Sequence, residues 1–224
     1  MTKVTVLSNP ATAVSSQVAA RISLAATAIF VILLATLHVI KPDLDPSWHF
    51  ISEYAIGAYG WLMMLAFFCL ALSCASLFIA IKSQVPTLAG KIGLVLLLIT
   101  AVGMTIAGLF PTDPITTGRE AMTRTGQLHE LGALLDLMPF AAPLISWSLA
   151  RHNPAWKSAR RALAWTAWLP LLGLVVFMGS TMLMLPADGQ FGPEVLVGWP
   201  NRFLILTYCT WLAAIAWQAN NLHR

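Results

Sequence analysis

Six runs of about 20 mostly apolar residues, parted by short polar breaks, constrain this chain more than any other feature. That is the length an α-helix needs to cross the hydrocarbon core of a bilayer. The runs fall near 22–40, 57–81, 92–110, 128–149, 162–185 and 197–217. The breaks carry helix-stopping or polar residues: Lys41-Pro42-Asp43 through Glu53, Lys82 to Lys91 with Pro86, Pro111 to Gln127, Arg151 to Arg161 with Pro154, and Pro186 to Glu194. Runs this long, without alternation, are not barrel strands, so the spans must be helices that satisfy their own backbone groups. The pattern predicts an all-α, polytopic membrane protein: one six-transmembrane-helix bundle over residues 21–224, preceded by a mobile cytoplasmic tail at 1–20 that is small, Ser/Thr-rich and nearly uncharged. The first run exceeds a signal-peptide core and lacks a small-x-small cleavage site before Lys41, so it is expected to remain as an anchor.

Composition agrees. Only 10% of the residues are charged and 58% are hydrophobic, against roughly 25% charged in an ordinary soluble domain. That argues against a soluble enzyme, a nucleic-acid-binding module or a disordered chain. Cys69, Cys74 and Cys209 all sit inside apolar runs with no CxxC spacing, which reads as apolar filler rather than a disulfide framework or zinc ribbon.

Lys/Arg asymmetry orients the bundle with both termini in the cytoplasm. That side then holds Lys3, Arg21, Lys82, Lys91, Arg151, Lys157, Arg160, Arg161 and Arg224, nine of the 13 basic residues. All the acids (Asp43, Asp45, Glu53, Asp113, Glu120, Glu130, Asp136, Asp188 and Glu194) lie on the outer side or on spans entered from it. Trp48, Trp61 and Trp199 are expected near the outer interface, and Trp147, Trp156, Trp165 and Trp217 near the inner one. The Pro-Asp pairs at Pro42-Asp43, Pro111-Thr112-Asp113 and Pro186-Ala187-Asp188 hint at three related hairpins, although Pro and Asp are also ordinary helix-stop residues.

The polar residues that can react or bind gather on the outer side. His38 closes the first span, Ser52 and Glu53 lead into the second, Asp113 follows the third, and His129 opens the fourth, with Asp136 further in. Ten residues at 1.5 Å each put Asp136 roughly 15 Å along its helix, near mid-membrane. A carboxylate there must face the bundle interior with a partner such as Arg202, or be neutral. His129 and Asp136, seven residues apart, fall within roughly 20° of one helical face, although about 10 Å apart along the axis. Ser52 and Glu53 also fit a helix N-terminus, as cap and dipole partner. His49, His152 and His223 read as solvated loop residues. Walker A, GxGxxG, GxSxG and HExxH patterns are absent.

The strings Asp45-Pro46-Ser47-Trp48-His49-Phe50-Ile51-Ser52-Glu53, Gly108-Leu109-Phe110-Pro111-Thr112-Asp113 and Gly126-Gln127-Leu128-His129 together resemble the multi-spanning prokaryotic membrane family catalogued as domain of unknown function 998. The resemblance covers roughly residues 20–220. It implies a multi-pass protein of the bacterial inner (plasma) membrane in which Ser52, Glu53, Asp113 and His129 meet on one side, and it brings no agreed activity.

Three functions compete. One is a hydrolase-like enzyme, or a binder of a lipid-like or small-molecule ligand, using Ser52, Glu53, Asp113, His129 and Asp136 at an outward-facing pocket. In that case a divalent metal on His38, His129 and a carboxylate can activate water. The second is electron transfer, with His38 and His129 as axial ligands of a haem. The third is a permease or a scaffold without catalysis. The expected partners are the bilayer and that ligand, not nucleic acid.

Overall fold

The computed structural model describes residues 10–187 and 189–222, with side chains from Val14 onward. Lys3, Asp188, His223, Arg224 and residues 1–9 of the expected tail lie outside the described residues. Among the described residues the chain is all helical with no strand: α1 (Pro10–Ile40), α2 (Gly60–Ile81), α3 (Leu88–Leu109), α4 (Arg124–Leu134), α5 (Met138–His152), α6 (Arg160–Thr166), α7 (Leu169–Met184) and α8 (Gly198–Asn221). Single 3-10 turns fall at Ile51–Ala55, Arg119–Ala121 and Pro154–Ala159.

Five segments are long and apolar enough to cross a membrane: Val14–Ile40, Gly60–Ile81, Leu88–Leu109, Arg124–His152 and Pro154–Met184. They match five of the expected runs, with three differences. First, α1 begins at Pro10, well before residue 22, so residues 10–20 are helical rather than tail. Ala19 and Ala20 are buried there, and Gln17 and Arg21 bond to Asn220 of α8. Second, the fourth segment is two helices. After Leu134 the backbone leaves the helical path until Met138, Pro139 stands in the first turn of α5, and Pro143 lies inside it. Third, the fifth segment is likewise broken, at Ala167–Trp168 before Pro170.

The helices pack as a closed ring. α1 lies on α2, α2 on α3, α3 on the α4–α5 unit, α5 on α7, α7 on α8, and α8 on α1, with α2 touching α8 across the middle. Between apolar helices in lipid the attraction comes from close packing and hydrogen bonds rather than from expelling water, and both are visible. The hydroxyls of Ser23, Thr27 and Ser73 form a buried cluster joining α1 to α2, with oxygen distances of 3.0 and 2.7 Å. Trp211 of α8, fully buried, donates to Ser146 of α5 at 2.9 Å. Where α3 meets α4, a Cβ at Gly103 would stand 2.5 Å from the Gly132 carbonyl oxygen, so the two backbones touch only because both residues are glycine.

The two ends of the ring differ in charge. At one end Asn153 and Trp156 tie to Gln84, and Gln218 to Ser158. Arg21, Lys82, Lys91, Arg151, Lys157, Arg160 and Arg161 are exposed there, with no acid among them. At the other end the described parts of segments 41–59, 110–123 and 185–197 converge and carry Asp43, Asp45, Glu53, Asp113, Glu120 and Glu194. Trp61, Trp147, Trp165, Trp199 and Trp217 are exposed, as interfacial anchors would be. Trp156 is fully buried instead, because its indole N–H is taken by Gln84 at 2.8 Å.

Candidate functional site

At the acidic end a buried guanidinium organises the surrounding segments. Arg202 sits on the second turn of α8 and is 4% exposed. Its Nε donates to His38 Nε2 at 2.7 Å, Nη1 to the carbonyls of His49 at 2.7 Å and Gly198 at 3.1 Å, and Nη2 to the Tyr54 hydroxyl at 3.2 Å. Among the described residues no carboxylate lies within ion-pair distance of it. The charge is therefore met at contact by neutral dipoles, and by the Tyr54 and Trp199 rings at 5.7 and 5.9 Å, with the carboxylates of Glu53 and Asp45 acting on it from beyond ion-pair distance. The reading that paired Arg202 with Asp136 is not what the structure shows.

His38 is fixed by this arrangement. Its Nδ1 lies 2.7 Å from the Leu34 carbonyl, which can only accept, so Nδ1 carries the proton and Nε2 offers its lone pair to Arg202. Both ring nitrogens are thus committed, and neither is free for a metal ion or a haem iron.

Next to it stands the segment His49–Tyr54. The expectation that Ser52 and Glu53 begin α2 fails on geometry. They belong to a separate 3-10 turn, and α2 starts only at Gly60, after Gly57 and Tyr59 take left-handed φ values of 71° and 61°. Glu53 is 2% exposed and is gripped by two backbone amides, Phe50 N to Oε2 at 2.8 Å and Ile115 N to Oε1 at 2.9 Å. Its Oε1 lies 3.1 Å from Nδ1 of His49, one helical turn before it. That Nδ1 is buried and makes no well-aligned hydrogen bond, while the His49 side chain keeps 14% of its surface accessible. Trp48 covers the imidazole with ring centroids 3.7 Å apart. Ser52 is half-buried in the same turn.

Lys41, 6% exposed just past α1, donates to the carbonyls of Tyr54 and Ile56 and so ties the turn to the end of α1. Burial pushes its pKa below the usual lysine value. Asp45 accepts from Ser47 N at 2.9 Å, which holds its carboxyl below the usual aspartate value. Asn201 Oδ1 accepts from Ile51 N at 3.0 Å, and Ser47 O from Gly198 N at 2.9 Å, so α8 is clamped to this segment.

The other expected residues lie on neighbouring elements. Asp113 is half-buried and takes both the amide and the hydroxyl of Thr123, at 2.7 and 2.8 Å, which fixes the segment leading into α4. It connects to Glu53 only through Ile115, two residues on. His129, 6% exposed, directs Nδ1 at the Ala107 and Phe110 carbonyls at the end of α3, 3.2 and 2.9 Å away, with its ring edge-on to Phe67. These are the groups a helix leaves unsatisfied at its C-terminus, so the side chain closes α3. Asp136 falls in the gap between α4 and α5, where Oδ1 accepts from Met138 N at 3.3 Å and the carboxyl meets the Tyr208 hydroxyl, with Cys74 nearby. Thr100 Oγ1 takes the Leu137 amide exposed by the same gap, at 3.0 Å.

The structure therefore brings Glu53, His38, His49, Tyr54 and Arg202 into one contiguous network. It leaves Asp113 and His129 as clamps beside it and Asp136 apart. Among the described residues, no three His, Cys, Asp or Glu side chains are placed to hold a metal ion. His49 and Tyr54 are the members that reading residue by residue missed. The four-residue spacing of His49 and Glu53 is the signal for it in the sequence.

The model of the family described as protein of unknown function (DUF998) matches residues 24–218. No curated protein and no solved structure matches the chain. With most of its length covered by that one model, the chain belongs to the DUF998 family of proteins of unknown function.

Proposed function

We propose that this is a six-span protein of the bacterial plasma membrane, with both termini in the cytoplasm, and that it performs acid–base chemistry on a lipid-like or small-molecule substrate at its extracytoplasmic end. Two features of α8 support a sixth crossing. Its 24 residues make a rod of roughly 36 Å. It also runs alongside α1, bonding to Ser47 beyond one end of that span and to Arg21 near the other. Its Arg, Asn, Thr and Gln residues lower its mean hydropathy, and several of them face protein rather than lipid. The orientation follows from the wholly basic end, which belongs inside.

The chemistry rests on one observation: a partly accessible His49 whose buried Nδ1 stands 3.1 Å from a carboxylate that two backbone amides hold still. A carboxylate at one ring nitrogen sets the tautomer and leaves the other nitrogen basic, as required of a general base. Catalytic hydrogen bonds are often poorly aligned before substrate binds, in keeping with the unaligned Nδ1. In this reading His49 takes the proton from water or a substrate hydroxyl, Glu53 orients it, and Arg202 supplies positive charge beside the developing anion.

The test is turnover of phospholipids and simple esters by protein in nanodiscs. His49→Gln and Glu53→Gln are expected to lower the rate by about 10²–10⁴-fold with the fold intact. Full activity in either variant would refute the role.

The gap between α4 and α5 favours a second reading, a carrier. Broken helices with polar groups at the break are how many transporters build a mid-membrane site, and Asp136 lies in such a break. In proteoliposomes, substrate uptake that is lost in Asp136→Asn and kept in His49→Gln would favour the carrier over the enzyme.

A further inference from the structure

The basic end carries a groove that has no part in the site above. Between α1, α6 and α8 lies a cleft of about 490 Å³, within the range of small-molecule sites. Its walls are apolar and mostly small: Leu24, Ala159, Ala162, Leu163, Ala213 and Trp217. Ser158 and Gln218 also line it and bond to each other at 3.3 Å, giving it one polar edge.

The charges around this cleft are of one sign. Lys157 precedes Ser158, while Arg160 and Arg161 stand between the lining residues Ala159 and Ala162, and all three are exposed. From the α1 side Arg21, also exposed, stands one turn before Leu24 and donates through Nε to Asn220, two residues beyond Gln218, at 3.0 Å. No Asp or Glu occurs in residues 14–41, 151–169 or 203–222, the segments that make this corner. An apolar slot with cations at its mouth is complementary to one kind of molecule, an aliphatic chain bearing an anionic head. A second copy of the chain fits poorly, because a two-fold contact through this face would set the same cations against one another.

We propose that the groove binds an anionic glycerophospholipid, with one acyl chain in the slot between α1, α6 and α8 and the phosphate against Arg21, Lys157 and Arg161. With the topology proposed above this lipid comes from the cytoplasmic leaflet, where basic pockets between helices take anionic headgroups. The contact itself does not depend on that orientation.

The full chain, purified in mild detergent, is titrated with phosphatidylglycerol or with phosphatidylcholine of the same acyl composition, and bound lipid is read by native mass spectrometry. One phosphatidylglycerol is expected to be retained in preference to phosphatidylcholine. The preference should fall by roughly fivefold for each of Arg21→Gln, Lys157→Gln and Arg161→Gln. A phosphatidylglycerol carrying a photoreactive group in its acyl chain should crosslink the unaltered protein at peptides containing Ala162 or Ala213, a readout that needs no variant to fold. Equal retention of the two lipids, charge variants without effect, or crosslinks confined to other helices would each overturn the proposal.

Discussion

A guanidinium at 4% exposure, with no carboxylate in ion-pair range among the described residues, draws its contacts from oriented neutral groups, and Arg202 has four of them there. This makes the residue hard to replace. Arg202→Met would leave the His49 carbonyl, the His38 lone pair and the Tyr54 hydroxyl short of a donor, each worth about 1–3 kcal/mol when buried and unmet. The expected loss is at least about 3 kcal/mol, seen as a lowered midpoint of thermal unfolding in detergent. Arg202→Lys should recover little of it, since one ammonium cannot reach acceptors that a planar fork spans. A Lys variant as stable as the parent would mean the fork geometry does not matter. At this scale the sequence was only partly legible. Arg202 stood out as a charge inside an apolar run, and Glu53 as an acid near a span. That His38 is spent on Arg202, and His129 on the end of α3, depends on carbonyls and side chains from other segments, which spacing along the chain does not reveal.

Helices α4 and α5 show how an element can mislead. The apolar run continues through 128–149, so hydropathy alone draws one helix, yet the backbone departs at Leu135–Leu137. The departure is affordable only because Thr100 meets the Leu137 amide and because α3 approaches closely through Gly103. Pro139 and Pro143 stand in the sequence just beyond the break; the exposed amide that Thr100 satisfies cannot be read from it. The close approach can be tested. A side chain at Gly103 would meet backbone and the Leu135 Cβ, at 2.5 and 2.9 Å, so Gly103→Val must push α4 off α3 at a cost of about 1–3 kcal/mol. Gly179→Ala on α7, where an added Cβ meets nothing within 4 Å, should leave stability unchanged. Equal melting of the two variants would show that the α3–α4 contact is slack.

The whole molecule is a ring of helices with two unlike ends, and its functional reading depends on which end faces which compartment. Bundle class and most span positions were legible because a bilayer imposes one length and one polarity on every crossing. The proposed sixth crossing is harder to read, because α8 carries polar groups that the ring buries: Arg202, Thr207, Tyr208 and Asn220. Single cysteines test both points at once in intact cells, using a membrane-impermeant thiol reagent before and after permeabilisation. The native Cys69, Cys74 and Cys209 lie inside candidate helices, and two of them are buried. Cysteines at Asp43 and Thr116, both exposed at the acidic end, should label from outside. A cysteine at Ser83, exposed at the basic end, and one appended after Arg224 should label only after permeabilisation. If the appended cysteine labels from outside while Ser83 does not, α8 fails to cross. If Asp43 and Thr116 label only after permeabilisation, the His49–Glu53–Arg202 network faces the cytoplasm, and an extracytoplasmic site is contradicted.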